Sequence, residues 1–319
     1  MNTLTIAAIQ HKSLATPKKT MIYLKNKIAD SASQGAKLIV LEELHNTPYF
    51  CQQERVDTFD LAETIPGPST DFFSELAKIH QCVIVGSFFE KRATGVYHNT
   101  AVVFDCDGSI AGQYRKMHIP DDPGFYEKFY FTQGDATKDG FNGFKPIQTQ
   151  IGKIGLLICW DQWFPEAARL MALAGAEILV YPTAIGWDKE DTPEEQQRQL
   201  DAWITIQRSH AIANNLPLVS CNRTGFEAEH QVINSKQELD NKKETKGIRF
   251  WGNSFICGQQ GEILANAKAN SEETLITNVN LAHTETVRRI WPYLRDRRID
   301  AYQNLDQRFI DTPLKKGAL

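Results

Sequence analysis

The sequence predicts an α/β fold, because buried strands alternate with amphipathic helices along the chain. Residues 3–10 and 38–41 form apolar, strand-like runs, and between them apolar side chains recur from Met21 to Ala32 at the spacing of one helix face. A hairpin is predicted around Cys106-Asp107-Gly108, since Asp-Gly supplies the backbone angles of a tight turn. Hydrophobic residues make up 42% of the 319 residues, which is enough for a large core.

In the first half of the chain, each predicted element has its own signal. Gly35 is positioned to end the first helix, and residues 72, 73, 76 and 79 mark the apolar face of a second helix. In order, we predict a strand at 3–10, a helix over 21–32, a strand at 38–41, a helix over 69–80, a strand at 82–88 and a hairpin of 99–105 with 109–116.

The second half begins with an apolar strand that ends at Cys159, and Gln260-Gly261 indicates a later hairpin. Residues 229–246 are polar without periodicity, which indicates an exposed loop. We see no domain boundary, and therefore expect one domain over 1–319 whose C-terminal part, from about 285 to 319, is an interface tail. Further helices are predicted over 167–174 and 194–214, and strands at 177–181, 216–221, 254–257 and 275–280.

Composition excludes several classes of protein. The net charge of −4 and the pI of about 6.1 argue against a nucleic-acid or anionic-membrane surface, and no segment is apolar enough to span a bilayer. The six cysteines are widely spaced without a Cys-x-x-Cys pair, so we expect a reduced, cytoplasmic protein. The histidines lack metal-ligand spacing, so no metal is expected. A small-molecule partner is favoured.

The apolar strand pattern ends at Cys159. Shortly after it, Pro165 indicates the first turn of a helix. A cysteine on a strand-to-helix turn can be a nucleophile whose thiolate a cation or helix N-terminus favours. It can equally be a small buried apolar residue, which is the commoner situation for cysteine.

Two other strand ends carry ionisable side chains. Glu43 follows the buried strand 38–41, and Lys116 ends the second strand of the predicted hairpin. Taken singly, each reads as a solvated charge. Together with a nucleophile they supply what a cysteine hydrolase needs: a base that takes the thiol proton and a donor that holds the oxyanion, assisted by the backbone N–H of Trp160.

These residues resemble the signature of the nitrilase, or carbon-nitrogen hydrolase, superfamily, a Glu-Lys-Cys triad that Glu43, Lys116 and Cys159 match in order. Glu127 matches a second glutamate that orients the lysine in this family. One departure is Glu42, where many relatives have proline. Further matching segments are 48–52, 118–121, 159–169, 181–186 and 295–298.

The resemblance implies a four-layer αββα sandwich and hydrolysis of N-carbamoylputrescine to putrescine, carbon dioxide and ammonia, a step of polyamine biosynthesis, without a cofactor. It implies that Cys159 attacks the carbamoyl carbon, that Lys116 and the Trp160 amide hold the oxyanion, and that Glu43 moves the protons. It also implies a homo-oligomer, a dimer or larger, formed through the helix after Cys159.

A substrate with a four-carbon chain and a terminal ammonium needs apolar or aromatic walls and an acidic or π-rich far end. Tyr49 is a further substrate-binding candidate. The candidate walls are Trp160, Trp163 and Trp187, and the candidate acidic ends are Asp121, Asp161 and Asp188.

Three alternatives stay open. A ureido-acid hydrolase or another amidase of the superfamily is the first, and a ureido acid would need a carboxylate clamp, for which Arg223 or Arg249 could serve. A catalytically silent binding protein is the second. A papain-like cysteine–histidine pair with His118 is the third, although no accompanying motif supports it. Large aromatic residues alternate with arginines in 290–309, which indicates interface material.

Overall fold

The structure is a computed structural model, and it describes residues 3–14, 16–136, 143–188, 190–229 and 246–310. The strands are β1 (Thr3–Gln10), β2 (Leu38–Val40), β3 (Val83–Ala93), β4 (Val96–Phe104), β5 (Ile110–Arg115), β6 (Ile147–Thr149), β7 (Gly152–Leu156), β8 (Ile178–Thr183), β9 (Gly186–Trp187), β10 (Leu218–Asn222), β11 (Thr224–Ala228), β12 (Gly247–Trp251), β13 (Phe255–Cys257), β14 (Ile263–Asn266) and β15 (Glu273–Asn280).

The helices are α1 (Pro17–Ser33), α2 (Pro68–His80), α3 (Glu127–Tyr130), α4 (Pro165–Leu173), α5 (Pro193–Asn214) and α6 (His283–Ile290). Proline stands in the first turn of α1, α2, α4 and α5, where its missing N–H costs no helical hydrogen bond. Among the helices of the described ranges, none is long and apolar enough to cross a membrane.

Two six-stranded sheets form the centre of the molecule. The first has the order β15-β1-β2-β3-β4-β5, with β1, β2 and β3 parallel and the outer pairs antiparallel. The second has the order β14-β13-β10-β8-β7-β6, with β7, β8 and β10 parallel. Each sheet therefore has a parallel middle with antiparallel flanks.

Alternation of side chains along β1 shows how the layers stack. Leu4, Ile6 and Ala8 belong to the large core that contains the second sheet, whereas Ala7 and Ile9 pack with residues of α1 and α2. Successive side chains of a strand face opposite ways, so the first sheet lies between these two helices and the second sheet. Helices α4 and α5 cover the second sheet from its other side. The predicted four-layer αββα sandwich is confirmed.

Most predicted elements lie within a few residues of the observed ones, but β3 and the strands near the chain's polar stretch differ. Strand β3 continues to Ala93 and pairs with β4 from Val96, although its last residues are exposed and carry no apolar signal. A small three-stranded sheet, β11-β12-β9, was not predicted, and neither were strand β6 and helices α3 and α6. The polar stretch predicted as a loop over 229–246 falls, from 230 to 245, outside the described residues.

The carboxyl ends of the parallel strands of both sheets converge on one region. The backbone N–H of Glu43, just after β2, donates to the carbonyl of Thr183 at the end of β8, at 3.3 Å. Side chains that follow β2 and β7 thus approach each other across the interface between the sheets. Strand ends of this kind are where open α/β sheets bind their ligands.

Candidate active site

Cys159 lies on the tight turn that follows β7. Its φ of +43° is in the left-handed region, which a residue with a Cβ rarely adopts, and the chain enters a 3₁₀ turn over Cys159–Trp163 before α4 begins. The side chain is only 4% exposed. The strained turn brings the thiol out of the second sheet towards the interface with the first.

Glu43 follows β2 and has no exposed surface. Its Oε1 accepts a hydrogen bond from Nδ2 of Asn99 on β4, at 2.7 Å. The next residue, Leu44, has a φ of +48°, so the chain turns sharply as soon as the carboxylate has left the strand. The other carboxylate oxygen, Oε2, is buried and has no protein partner among the described residues. One face of this carboxylate is therefore available to a proton donor.

Lys116 follows β5 and is also fully buried. Its Nζ lies 2.7 Å from Oε1 of Glu43 and 2.7 Å from Oε2 of Glu127. An unpaired ammonium in such a place would be strongly destabilising, so the two carboxylates account for its presence. The structure thus brings together three of the ionisable residues that the sequence analysis selected.

Glu127 begins the short helix α3 and is buried at 1% exposure. Its Oε1 accepts the hydroxyl of Tyr49 at 2.8 Å, while Oε2 accepts from Lys116. Burial raises the pKa of Glu127 to about 7; the lysine opposes this rise, and the charge of Glu43 adds to it. Glu127 therefore titrates near neutral pH.

Lys116 and Cys159 have different charge states in this cluster: the lysine is a cation and the thiol is neutral. Burial alone would lower the pKa of Lys116, but Glu127 and Glu43 raise it well above its ordinary value, so the lysine is a permanent cation. Burial raises the pKa of Cys159 well above its ordinary value, with Glu43 adding to the rise and Lys116 opposing it. The resting thiol is therefore protonated at neutral pH. Nucleophilic attack then requires a base to take its proton.

Asp161 has a structural task that sequence reasoning missed. Its carboxylate is fully buried below the cysteine turn, where it accepts the N–H of Ile158 at 2.8 Å and the hydroxyl of Tyr114 at 2.9 Å. It also accepts the backbone N–H of His118 at 3.1 Å, and lies 2.6 Å from the Nδ1 of the same histidine. Asp161 thus connects the segment before Cys159 to both sides of Lys116.

A cavity of about 460 Å³ opens above the cysteine. Cys159 and Glu127 lie at its floor, and its aromatic lining includes Trp160, Trp163 and Trp251. Apolar and aromatic surface predominates in this lining, as is usual for a small-molecule site.

The acidic lining of the cavity differs in part from the predicted set. Asp188 lines the cavity, together with Asp122 and Asp191, which the sequence analysis did not select. Asp121 is exposed and lies 3.8 Å from Lys128, outside the described lining. Adjacent loop aspartates cannot be told apart from sequence alone, because the turn decides which one faces the cavity.

The other substrate-binding candidates lie outside that lining. Trp187 donates its indole N–H to the carbonyl of Gln196 and packs against Trp251, which itself lines the cavity. Tyr49 is buried at 1% exposure beside Glu127. Asp161 is enclosed below the turn. Of the predicted walls, Trp160 and Trp163 border the cavity.

Neither arginine considered as a carboxylate clamp reaches this cavity. Arg223 is fully buried and pairs with Glu42 and Glu227. Arg249, on β12, is exposed and lies over the ring of Phe226. Within the described ranges, no lysine or arginine lines the cavity.

The arrangement can perform acyl-transfer chemistry at a carbon–nitrogen bond. A protonated thiol lines a mostly apolar cavity, and the carboxylate with one unengaged oxygen and the permanent cation are buried behind it. Such a set can deprotonate the sulfur, stabilise an oxyanion and return the proton to a leaving amine.

Comparisons with known proteins agree with this chemistry. The family model described as "Carbon-nitrogen hydrolase" matches residues 5–289. An N-carbamoylputrescine amidase of Arabidopsis thaliana is 42% identical over 279 residues, covering 87% of each chain. A citrullinase of Francisella tularensis is 36% identical and covers 97% of this chain and 100% of its own.

A solved structure is also similar over nearly the whole chain. The crystal structure of a carbon-nitrogen hydrolase from Helicobacter pylori G27 superposes with a TM-score of 0.88 at 51% sequence identity, covering 97% of this chain and 100% of that one. Fold and chain length are therefore shared with a protein of that description.

Proposed function

Because this chain belongs to the carbon-nitrogen hydrolase family, we propose that it hydrolyses N-carbamoylputrescine to putrescine, carbon dioxide and ammonia. One observation carries the choice of substrate: the cavity above Cys159 is lined by Asp122, Asp188 and Asp191 and, among the described residues, by no cation. A carbamoyl compound whose far end is an ammonium suits such a lining, whereas a carboxylate would be repelled.

In the first half-reaction, Glu43 takes the proton of the Cys159 thiol, and the sulfur attacks the carbamoyl carbon. The tetrahedral oxyanion is held by the ammonium of Lys116 and the backbone N–H of Trp160. The protonated Glu43 then donates to the departing nitrogen, so the carbon–nitrogen bond breaks and a thiocarbamate remains on the cysteine.

In the second half-reaction, Glu43 takes a proton from water, which attacks the thiocarbamate carbon. Collapse of this intermediate returns the thiol and releases a carbamate, which decomposes to carbon dioxide and the remaining nitrogen compound, putrescine or ammonia. Either nitrogen of the substrate can leave first, and both orders give the same products. The sum is one substrate and one water converted to putrescine, carbon dioxide and ammonia.

The cluster around Lys116 supports this assignment of roles. Lys116 makes its two 2.7 Å hydrogen bonds to Glu43 and Glu127, so its charge is fixed in place before substrate binds. A preorganised cation costs no rearrangement when the oxyanion forms. Glu127 acts through Lys116 and is therefore a positioning residue.

Relatives support the carbamoyl substrate but differ at its far end. Four relatives with 38 to 42% identity are named N-carbamoylputrescine amidase, and one with 36% identity is named citrullinase. Citrulline shares the ureido group but carries a carboxylate beside its ammonium. The absence of an arginine or lysine from the described lining favours the substrate without that carboxylate.

The proposal is tested by comparing substrates on the purified full chain. We expect the highest kcat/KM for N-carbamoylputrescine, and much lower values for L-citrulline, N-carbamoyl-β-alanine and a simple amide, with ammonia release as the measurement. A preference for citrulline or N-carbamoyl-β-alanine would reassign the enzyme to ureido acids. Full turnover by Cys159→Ser would overturn the role of the cysteine.

We also propose that the chain is a homo-oligomer of the reducing cytoplasm. Leu170 and Leu173 on α4 are exposed, as are Trp291, Ile299 and Phe309 in the C-terminal segment, which supports an interface there. All six cysteines are free thiols, which supports a reducing compartment. Light scattering of the purified protein should give at least a dimer, and a monomer at working concentration would refute the interface.

A further inference from the structure

Arg223 follows β10 of the second sheet and is one of the largest fully buried side chains of the molecule. A guanidinium is always charged and can leave water only where acceptors surround it. Its partners therefore show what this arginine is built to hold.

Three of these partners are carbonyls of the segment that carries Glu43. Nη2 donates to the carbonyl of Glu43 itself at 3.1 Å and to that of Leu44 at 2.9 Å, while Nη1 donates to that of Thr47 at 3.0 Å. Leu44 is the residue with the left-handed backbone, so the arginine holds the turn at its most strained position. Through this side chain the second sheet fixes the strand end of the first.

The same guanidinium is paired with two buried carboxylates. Nη1 lies 2.6 Å from Oε1 of Glu227, and Nε lies 3.2 Å from Oε1 of Glu42. The other oxygen of Glu42, Oε2, accepts a hydrogen bond from the backbone N–H of His11 at 3.4 Å. The residue that stands where many family members have proline is thus a partner of the arginine.

Glu227 extends the connection to the other side of the reaction centre. Its Oε2 accepts the backbone N–H of Tyr49 at 2.6 Å, and the hydroxyl of Tyr49 donates to Glu127 at 2.8 Å. Glu127 in turn holds Lys116. From Arg223, one route of contacts leads to Glu43 and another leads through Tyr49 to Glu127.

We propose that Arg223 and Glu227 are positioning residues, which hold Glu43 and Glu127 at the distance that places Lys116 between them. This inference rests on the proposed function only in taking Glu43 and Lys116 as the reacting groups. The reason is geometric: a planar fork reaches several carbonyls in fixed directions, whereas the single ammonium of a lysine does not.

The kinetic consequence follows from how sharply catalysis depends on position. A displacement of about 1 Å can cost about 100-fold in rate. We therefore expect Arg223→Lys to lower kcat by about 10- to 100-fold while KM changes little. Arg208→Lys is the matched control, because Arg208 is a partly buried arginine of α5 that donates to one carbonyl, that of Gly261.

The second route is tested through the pH profile. Lys116 and Glu43 face Glu127 from the two strand ends, Tyr49 faces it with its hydroxyl, and the Cys159 thiol lies on the same cavity floor. The Tyr49 hydroxyl stabilises the ionised carboxylate, so Tyr49→Phe should move the acid limb of kcat/KM to higher pH. Glu227→Gln keeps this hydroxyl but gives the Tyr49 N–H a neutral acceptor, so it should lower kcat, by less than Arg223→Lys does. Tyr181→Phe is the control, because Tyr181 is also buried and its hydroxyl is hydrogen-bonded to His210 instead of Glu127.

A second measurement needs no substrate. Iodoacetamide alkylation of Cys159 is followed by mass spectrometry of its peptide across the same pH range, and we expect slower alkylation in Arg223→Lys and the shifted limb in Tyr49→Phe.

If the parent fails to hydrolyse N-carbamoylputrescine but alkylation changes as described, the proposed function fails and the positioning role stands. If Arg223→Lys does not fold, the positioning role is tested with Glu227→Gln and Tyr49→Phe. Parent-like kcat, pH limb and alkylation in the variants that fold would overturn the inference.

Discussion

The carboxylate of Asp161 lies 2.6 Å from Nδ1 of His118, and the imidazole ring stacks on Phe164 with centroids 3.7 Å apart and planes within 6°. Asp161 follows the cysteine by two residues, and His118 follows the lysine by two. The pair therefore joins the two segments that carry Cys159 and Lys116, although these segments belong to different sheets.

Asp161→Asn should lower kcat more than it changes KM. An amide cannot accept as many hydrogen bonds as the carboxylate, so the donors of Ile158, Tyr114 and His118 compete for one oxygen, at a cost of about 1–3 kcal/mol in stability. We expect a loss of about 100-fold in kcat at a temperature where the variant is folded, since the cysteine turn shifts against the lysine. Initial rates and thermal denaturation measure the two effects.

Asp105→Asn is the matched comparison. Asp105 is also nearly buried and accepts the backbone N–H groups of Cys106 and Gln150, but it lies at the hairpin of β4 and β5, outside the site. It should lose stability while keeping parent-like kcat. Equal kcat in both variants would contradict a positioning role for Asp161.

The pH dependence of catalysis should have an acid limb near 7, because burial raises the pKa of Glu127 to about 7. Below this pH the carboxyl is neutral, and Lys116 loses one of its two anionic partners. Glu127→Gln fixes the neutral form, so we expect low kcat/KM at every pH and no acid limb. A variant that keeps the parent's limb would assign it to another group.

Substrates that differ only at the far end should separate the roles of the cavity aspartates. Asp188→Asn and Asp191→Asn should raise KM for N-carbamoylputrescine by up to about 5-fold, the effect of losing an exposed ion pair of about 1 kcal/mol. KM for n-butylurea, which lacks the ammonium, should not change. Asp121→Asn is the control, since Asp121 lies outside the described lining. An equal effect on both substrates would argue against an ammonium site.

Stability should fall between pH 7 and pH 5, partly because of His210. Burial lowers its pKa to about 4 in the folded state, below the ordinary 6.5 of the unfolded chain. The unfolded chain therefore binds more protons in this window, and acid favours unfolding, by up to about 3 kcal/mol at full effect. His210→Gln should flatten the dependence of the melting temperature on pH. An unchanged slope would show that His210 contributes nothing to it.

Much of the fold was predictable because its strands and helices have strong local patterns. The observed β1 has the predicted bounds, and α5 differs from its prediction by one residue at its start. Strands β9, β11 and β12 were missed because their pairing is long-range and brings Gly186 against Phe250. The residues next to a strand in the sequence do not indicate a pairing partner that is distant along the chain.

Within the site, sequence reasoning selected side chains more easily than it predicted their surroundings. Glu43 and Cys159 each follow an apolar strand, and Lys116 ends a hairpin strand, so their positions at strand ends pointed to them. Arg223 was considered a clamp for a substrate carboxylate, yet its partners are internal carbonyls and carboxylates. A lone arginine in a sequence gives no sign of whether its acceptors belong to a ligand or to the protein.

The reaction centre is divided between the two sheets, with Glu43 and Lys116 following strands of one and Cys159 following a strand of the other. The turnover rate therefore depends on the relative position of the two sheets. A change of interior volume between them, far from any reacting atom, should reduce the rate as well as the melting temperature. Substitutions that repack this interior, assayed by ammonia release, would measure how much displacement between the sheets catalysis tolerates.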